Sequence, residues 1–175
     1  VRQTAFLLLS GLLFAVSSAV PATAQDEPAQ RASPADPYAG HIAEAARRFG
    51  IPETWIRAVM RTESAGDPRA ISSNGAMGLM QIMPTTGQWI AGKLGMKGYN
   101  VGWLRDPDTN VMFGTTYMRM VLEGLDNHPV LASAAYNAGP GRAKRWKDVK
   151  PLEGAIYAET IPFGETRDYV KKVMA

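Results

Sequence analysis

The sequence predicts an all-α domain, and three observations support this fold class. Proline residues recur where helices would begin, and glycine residues recur where they would end. Between them, apolar residues are three or four positions apart, which is the spacing of a helix with one buried face. No segment of useful length alternates apolar and polar residues as a half-buried strand would. We therefore expect one compact domain of about seven short helices around a single core.

The start and stop residues predict where each helix lies. The longest helix is predicted from Asp106-Pro107 to Gly124, because its apolar residues recur at helical spacing between Val111 and Leu125. The stretch 64–83 is rich in Gly and Ser and is predicted to be mostly loop. The other helices are predicted over residues 37–48, 52–63, 84–95, 129–138, 141–147, 152–158 and 165–174.

An export signal is predicted at residues 1–24. Arg2 supplies the positive charge that precedes an apolar run at residues 5–16, and Ala22-Thr23-Ala24 is an A-x-A cleavage pattern. The apolar run is shorter than the roughly 20 residues that a membrane span needs. We therefore expect cleavage before Gln25 and no stable membrane insertion afterwards. An anchor that is not cleaved is the alternative.

The residues that follow the signal are predicted to be a disordered linker. Residues 25–36 are rich in Pro, Ala and charged residues, and they lack an apolar period. The folded domain is therefore predicted over residues 37–175.

Composition excludes several classes of function. The 19 Lys and Arg residues exceed the 16 Asp and Glu residues, which gives a net charge of +3. This mild excess fits an anionic polymer as partner, but it is also common among small bacterial domains and points to no particular partner. The sequence has no dense run of Lys and Arg of the kind that would indicate nucleic-acid binding. Because the sequence has no Cys, disulfides, thiolate metal sites and a Cys nucleophile are excluded.

Glu63 is the strongest candidate for a catalytic residue. It ends an apolar helical segment that contains Trp55, Ile56 and Met60. The negative end of the helix dipole and the apolar neighbours both disfavour a charged carboxylate there, so we expect a raised pKa. A carboxyl group that keeps its proton near neutral pH can protonate the leaving oxygen of a glycosidic bond. The alternative is a solvated glutamate at a helix end.

The segment 72–84 has the composition of a ligand-binding loop. Gly75 and Gly78 would let the backbone approach a ligand closely. Gln81 can donate to and accept from an acetamido group, while Met80 and Met83 can line the faces of a sugar. The alternative is an ordinary loop whose methionines lie in the core.

Two further segments contain candidate polar residues. Tyr136 and Asn137 lie at a predicted helix end, where the tyrosine hydroxyl could hold the catalytic carboxyl or a sugar and Asn137 is expected to be structural. Glu165 and Tyr169 are one helical turn apart on the same face of the last predicted helix. An exposed helix face explains that spacing equally well.

In their order along the chain, these segments resemble the lytic transglycosylases of the soluble-lytic-transglycosylase (SLT) type, a family with a lysozyme-like fold. The most specific part of the resemblance is Glu63-Ser64, followed by Ser72 and by Gly-Leu-Met-Gln-Ile-Met-Pro at 78–84. Ala-Tyr-Asn-Ala-Gly at 135–139 and Ile-Pro-Phe-x-Glu-Thr-Arg-x-Tyr-Val at 161–170 follow in the family's order. The resemblance covers most of the predicted domain.

The resemblance implies roles for individual residues. Glu63 would be the catalytic acid and base, and Ser64 beside it would be structural. No metal and no cofactor is implied. The residues that would contact the glycan, its N-acetyl group or its stem peptide are Ser72, Gln81, Met83, Tyr136, Glu165 and Tyr169.

The resemblance also implies a substrate and a place in the cell. The family acts on peptidoglycan, so we expect an exported enzyme in the periplasm of a Gram-negative bacterium. Peptidoglycan glycan strands would be its partner, and a secretion or conjugation apparatus is a candidate second partner.

A mechanism with a single carboxylate is implied as well. Most glycosidases pair two carboxylates across the scissile bond, whereas this motif supplies Glu63 alone and Asp67, before Pro68, has the sequence of a turn former. By the resemblance, the N-acetyl oxygen of the muramoyl sugar attacks its own C1, and the C6 hydroxyl then closes a 1,6-anhydro ring without water. The expected reaction is non-hydrolytic cleavage of the MurNAc-β-1,4-GlcNAc bond.

Two other functions remain open at this point. One is a hydrolytic muramidase of the lysozyme type on the same fold, which would also use one glutamate. The other is a non-enzymatic glycan-binding module of a wall-spanning assembly.

Overall fold

The structure is a computed structural model that describes residues 36–147 and 154–175. Over these ranges the chain forms eight α-helices and one short 3₁₀ helix, which confirms the predicted all-α class. The predicted signal peptide and all of the predicted linker except Asp36 lie outside the described residues. In chain order the helices are α1 Ala39–Phe49, α2 Glu53–Ser64, α3 Pro84–Lys93, the 3₁₀ helix Val101–Arg105, α4 Pro107–Glu123, α5 Pro129–Ala138, α6 Pro140–Lys147, α7 Gly154–Glu159 and α8 Gly164–Met174.

Capping groups explain why the helices begin and end close to the predicted residues. Gly50 ends α1 in the left-handed conformation, with φ at 63°, and its N–H donates to the carbonyl oxygen of Ala46. Asp106 begins α4, because its carboxylate accepts a hydrogen bond of 2.8 Å from the N–H of Thr109. The third helix ends at Lys93, slightly before the predicted Gly95, since the chain already turns at Leu94.

The 3₁₀ helix Val101–Arg105 was not predicted from the sequence. The side chain of Asn100 caps it by accepting a hydrogen bond of 2.9 Å from the N–H of Gly102. Leu104 anchors it in the core, where its side chain is fully buried. Five residues are too few for a helical period to show in the sequence, so this element could only be identified from its packing.

Helix α4 lies at the centre of the domain and packs against α1, α3, α5 and the 3₁₀ helix. The last helix, α8, packs against both α2 and α5. Gly114 of α4 lies against the loop between α2 and α3, where a Cβ atom would be 2.3 Å from the Sδ atom of Met80. The missing side chain therefore lets this loop lie directly on the central helix.

The loop between α2 and α3 has the irregular structure that the sequence predicted. Its only β pairing in the described residues consists of isolated bridges from Met77 to Ile71 and from Met77 to Ile82. Eight buried or half-buried residues in succession, from Gly75 to Ile82, fix the second half of the loop to the domain. Among the described helices, none combines the length and the apolar character that crossing a membrane requires.

Candidate active site

Glu63 lies in the last turn of α2 and is half-buried. The helix is anchored in the core by Ile56, Val59 and Met60, whose exposed fractions are 0%, 1% and 5%. Its end is sharp, because Ala65 adopts the left-handed conformation with φ at 53° and donates its N–H to Arg61. The anchored helix therefore holds the Glu63 carboxyl in a fixed place with limited access to water.

Burial raises the pKa of the Glu63 carboxyl from 4.5 to about 7. The cause is desolvation, which disfavours the charged form, and it outweighs the hydroxyl of Tyr169, which acts on the carboxyl in the opposite direction and lowers its pKa. The predicted direction of the shift is confirmed. The carboxyl group can therefore carry a proton at neutral pH, as a general acid must.

Two tyrosines lie beside this carboxyl. Burial raises the pKa of Tyr169 and of Tyr136, and the negative charge of Glu63 raises both further. The hydroxyl of Tyr136 donates a hydrogen bond of 2.8 Å to the carbonyl oxygen of Met80. The hydroxyl of Tyr169 is buried and makes no hydrogen bond of ordinary geometry to another described residue, so its influence on Glu63 acts across a looser contact.

Three helices hold the loop that faces Glu63. Ser64 of α2 donates a hydrogen bond of 2.7 Å to the carbonyl oxygen of Leu79, which confirms that this serine is structural. From α5, Tyr136 holds Met80 through its carbonyl oxygen. From α4, the side chain of Asn110 accepts a hydrogen bond of 2.7 Å from the N–H of Met80 and donates one of 2.8 Å to the carbonyl oxygen of Met77.

Asn110 was missed in the sequence, although it is the most completely bonded polar side chain of the site. Its side chain is fully buried and makes a third hydrogen bond, 2.7 Å to the carbonyl oxygen of Leu104. The available signal was a polar residue directly before Val111, where the apolar face of the longest helix begins. A buried asparagine at such a position needs partners, and the backbone of an irregular loop supplies them.

Two interpretations of the loop were wrong. Met80 is fully buried, so it packs in the core and cannot line a sugar face. Gly78 serves packing within the protein: its φ is +79°, and a Cβ atom there would lie 2.3 Å from the Nδ2 atom of Asn110. Gly75 has φ at +84° and lies in the turn that follows Ser72.

A groove of about 250 Å³ begins beside Tyr136. Met83 is 38% exposed and lies in its wall, so the structure brings three of the candidate residues, Met83, Gln81 and Tyr136, together in one groove. Tyr136 lines the groove, and the charge of Glu63 acts on its hydroxyl, so Tyr136 connects the groove to the carboxyl. The lining residues are Gln81, Ile82, Met83, Thr86, Tyr117, Tyr136, Asn137, Ala138 and Gly139.

Three wider grooves of the described residues lie elsewhere. Two of them measure about 440 and 560 Å³ and flank the end of α8 near Met174, and the third measures about 280 Å³ and lies beside Tyr38 and Ala65. None contains Glu63 or one of the predicted site residues, so volume alone is a poor guide to the site here. The smaller groove is the better candidate because Tyr136 connects it to a carboxyl with a perturbed pKa.

Gln81 is committed to the loop on its donor side. Its Nε2 group donates a hydrogen bond of 3.1 Å to the carbonyl oxygen of Ala70 and one of 2.9 Å to the carbonyl oxygen of Gly78. The backbone of Gln81 is in the left-handed conformation, with φ at 48°. Both amide hydrogens are therefore used, and only the Oε1 atom remains for a ligand. The prediction that this side chain both donates and accepts needs that correction.

Tyr117 is a groove residue that the sequence analysis missed. Its ring meets the ring of Tyr136 edge to face, with centroids 5.3 Å apart, and burial raises its pKa. The only signal in the sequence was an aromatic residue on the longest helix, which reads as a core residue. Tyr117 lies in the groove wall because α4 and α5 pack against each other.

The remaining predicted site residues lie outside the groove lining. Ser72 is exposed, and its hydroxyl accepts a hydrogen bond of 3.0 Å from the N–H of Ala76. Glu165 is exposed in the first turn of α8, while Tyr169, one turn later, is only 6% exposed. A common exposed face therefore does not explain their spacing.

Asn137 and Asp67 have the structural roles that the sequence analysis expected. Asn137 accepts a hydrogen bond of 2.8 Å from the hydroxyl of Thr166, which ties the end of α5 to α8. Asp67 is exposed and accepts 2.8 Å from the N–H of Arg69, as a turn-forming aspartate does. No second carboxylate contributes to the pKa shift of Glu63 within the described part of the chain.

Two known proteins are similar to this chain over more than two thirds of its length. The soluble lytic murein transglycosylase of Escherichia coli K12 is 43% identical over 128 residues, which are 71% of this chain and 20% of that protein. Membrane-bound lytic murein transglycosylase C of Shigella sonnei is 32% identical over 158 residues, which are 78% of this chain and 44% of that protein. The chain thus spans a fifth to less than half of the length of these relatives.

Solved structures show the same fold. The lytic transglycosylase Slt of Pseudomonas aeruginosa, crystallised as an inactive mutant, has a TM-score of 0.74 and 41% identity, and covers 79% of this chain and 23% of its own. The 70 kDa soluble lytic transglycosylase of E. coli has a TM-score of 0.74 and 39% identity, and a complex of it with bulgecin A is also similar.

The family assignment rests on the domain itself. Residues 40–155 match the family described as "Transglycosylase SLT domain", and this range includes Glu63, the loop before α3 and Tyr136. The match covers more than half of the chain, and it agrees with the similarity to the solved structures. The chain therefore belongs to the transglycosylase SLT domain family.

Proposed function

We propose that this chain is a lytic transglycosylase that cleaves the MurNAc-β-1,4-GlcNAc bond of peptidoglycan with Glu63 as its single acid and base. The observation that carries the proposal is the raised pKa of Glu63, about 7, beside the groove that Tyr136 shares. The relatives with the same domain are named murein transglycosylases, which supports the reaction class and the substrate.

In the first step, the protonated Glu63 carboxyl gives its proton to the oxygen that links the two sugars. The bond from that oxygen to C1 of the muramoyl sugar breaks, and the carbonyl oxygen of the sugar's own N-acetyl group forms a bond to C1. The positive charge then lies on the oxazolinium ring of the substrate. The leaving strand departs with a free hydroxyl group, and Glu63 is left ionised.

In the second step, the ionised Glu63 takes the proton of the C6 hydroxyl of the same sugar. The C6 oxygen bonds to C1 while the bond from C1 to the acetamido oxygen breaks, which restores the N-acetyl group and closes the 1,6-anhydro ring. No water is consumed, and Glu63 ends with the proton with which it began. The substrate supplies what a second carboxylate supplies in most glycosidases.

Tyr169 and Tyr136 support the reaction in different ways: Tyr169 acts on the protonation of Glu63, and Tyr136 acts on the position of the loop. Burial keeps Glu63 neutral before the reaction, while the Tyr169 hydroxyl favours the ionised form that exists between the two steps. Tyr136 is fixed to the Met80 carbonyl oxygen and so holds the loop at a constant distance from the carboxyl.

The other predicted contacts divide between the groove and the surface. Met83 would lie against a sugar face, and the Oε1 atom of Gln81 would accept a hydrogen bond from an acetamido N–H. Ser72 and Glu165 are exposed. We assign them to the stem peptide, where the carboxylate of Glu165 can meet an amine.

We further propose that the chain is exported to the periplasm. The basis is the sequence alone: a signal peptide at residues 1–24, a linker at 25–36 and the enzyme domain from residue 37. Detection of a mature protein that begins at Gln25 in the periplasmic fraction would support this proposal. A chain that keeps residues 1–24 would contradict it.

Digestion of purified peptidoglycan tests the reaction. We expect 1,6-anhydro-muramoyl ends from the wild-type chain, detected by mass spectrometry, and no cleavage by E63Q. The matched control is D67N, which neutralises an exposed carboxylate only four positions away and should cleave normally. Reducing muramic ends would favour the hydrolytic muramidase. Normal cleavage by E63Q would refute the role of Glu63, and binding without cleavage by the wild type would favour a glycan-binding module.

A further inference from the structure

Helix α3 presents a large aromatic side chain to solvent close to the candidate groove. Trp89 is 46% exposed, whereas the next two residues, Ile90 and Ala91, are buried with exposed fractions of 0% and 1%. The indole therefore stands on the outer side of a helix whose inner side is in the core. Because nearly half of the Trp89 side chain is accessible, a ligand on this side of α3 can contact the indole.

The outer side of α3 is continuous with the groove. Met83, which immediately precedes α3, and Thr86, in its first turn, are both groove-lining residues. Trp89 follows Thr86 by three positions and Lys93 follows it by seven, so the three side chains share one side of the helix. The rise from Thr86 to Trp89 is about 4.5 Å along the helix axis. A polymer that leaves the groove past Thr86 therefore meets Trp89 next.

A cation accompanies the ring. The Nζ atom of Lys93 lies 5.9 Å from the centroid of the Trp89 ring system, a cation–π contact. Both side chains are exposed, and Lys93 makes no ion pair with another of the residues that the structure describes. The pair thus combines a flat apolar ring with a positive charge over one of its faces, and the other face is left for a ligand.

We infer that Trp89 and Lys93 form a binding site for the glycan strand outside the groove. The faces of a pyranose ring carry C–H groups that pack on the electron-rich face of an indole, while the sugar hydroxyls stay in water. The ammonium group of Lys93 lies where a carboxylate of a stem peptide can reach it. This inference rests on the proposed function, because it names where the same strand continues beyond the bond that is cut.

Binding measurements in the E63Q chain test the site without cleavage. The probes are long glycan strands freed of stem peptides, the same strands with peptides, and a single GlcNAc-MurNAc disaccharide. We expect W89A to bind long strands roughly tenfold more weakly than the parent, as loss of one aromatic contact allows. W89F should stay within about twofold, because a flat ring remains.

Two comparisons separate the site from a general effect. The disaccharide should bind equally to the parent and to W89A, since it does not extend past the groove. K93Q should weaken binding of strands that carry peptides and leave bare strands unchanged. The control I156A removes another exposed apolar side chain, on α7, and should bind every probe as the parent does.

The outcomes that overturn the inference are distinct. Equal affinity of the parent and W89A for long strands overturns it and leaves the proposed function intact. If the parent binds vesicles of anionic phospholipid and W89A does not, while both bind glycan equally, Trp89 belongs to a membrane contact instead. A parent that binds no glycan overturns the proposed function, and this inference with it.

Discussion

The hydroxyl of Tyr136 donates a hydrogen bond of 2.8 Å to the carbonyl oxygen of Met80. This bond joins Tyr136 to the loop between α2 and α3. The same side chain also lines the groove and lies in the surroundings of Glu63. The loop is therefore fixed before a substrate arrives. The consequence is that this hydroxyl should matter for stability as well as for activity.

The Y136F substitution should lower both the stability and the activity of the protein. The Met80 carbonyl oxygen would lose its tyrosine partner in a poorly hydrated place, and we expect the free energy of unfolding to fall by about 1–2 kcal/mol. Urea unfolding and peptidoglycan cleavage should be measured together. The matched control is Y117F, a second tyrosine of the groove that makes no hydrogen bond to another described residue. Equal stability of Y136F and the wild type would contradict the role of the hydrogen bond.

The N110A substitution should destabilise the protein more than Y136F does. Asn110 makes three hydrogen bonds of 2.7–2.8 Å with no exposure to water, so its loss leaves three backbone groups without these partners. We expect the free energy of unfolding to fall by roughly 3 kcal/mol or more. Activity should fall even at temperatures where the variant is folded, because Met77 and Met80 are released.

The comparison for N110A is N100A. Asn100 is exposed and caps the 3₁₀ helix by accepting one hydrogen bond of 2.9 Å from the Gly102 N–H. Its loss should cost about 1 kcal/mol, the usual cost of an N-cap, with little change in activity. Similar effects of N110A and N100A would show that Asn110 has no special role in the site.

The pH dependence of cleavage should report the Glu63 proton. With a pKa of about 7, kcat/KM should be level on the acid side and fall tenfold per pH unit above that value. The profile should be recorded with soluble glycan strands, at pH values where circular dichroism shows a folded chain. An activity that stays level up to pH 9 would contradict the acid role.

Y169F should move this profile to higher pH. The Tyr169 hydroxyl lowers the pKa of Glu63, so its removal leaves desolvation unopposed and raises the pKa further. The descending limb of kcat/KM should therefore shift upward in pH. Stability should not fall, because the buried hydroxyl makes no hydrogen bond of ordinary geometry to another described residue. A shift toward lower pH would mean that the hydroxyl does not stabilise the ionised carboxyl.

Stability should depend on pH through the same carboxyl group. The folded pKa of about 7 lies above the reference value of 4.5, so the folded state binds more protons than the unfolded state between these values. The contribution of Glu63 to stability is therefore fully present below about pH 4.5 and is lost as the pH rises through 7. E63Q cannot ionise, so its stability relative to the wild type should increase over this window and then stay constant. A difference that is the same at every pH would contradict the shift.

The sequence predicted the helices well because their boundaries are local. Proline fixes the first turn of α3, α4 and α5, and Gly50 and Gly139 end helices through conformations that few other residues adopt. Glu63 could be identified for a related reason. Its unfavourable setting follows from its own helix, which ends directly after it and is apolar before it.

The parts that could not be predicted depend on contacts between distant segments. Spacing alone does not show that Met80 points at Gly114, or that Gly78 makes room for Asn110. Both contacts join the loop to α4, far along the chain. The commitment of the Gln81 donor groups to the loop was hidden for the same reason, because a glutamine looks alike in sequence whether its amide is used or available.

The raised pKa of Glu63 also has a consequence for the last step of the proposed mechanism. A carboxyl group with a pKa of about 7 is protonated in about half of the molecules at neutral pH, so losing the proton and regaining it are nearly isoenergetic. An ordinary glutamate would give up its proton to solvent and then have none for the next bond. In the proposed mechanism, the resting state of Glu63 would therefore be restored at the end of each turnover without a proton from any other side chain.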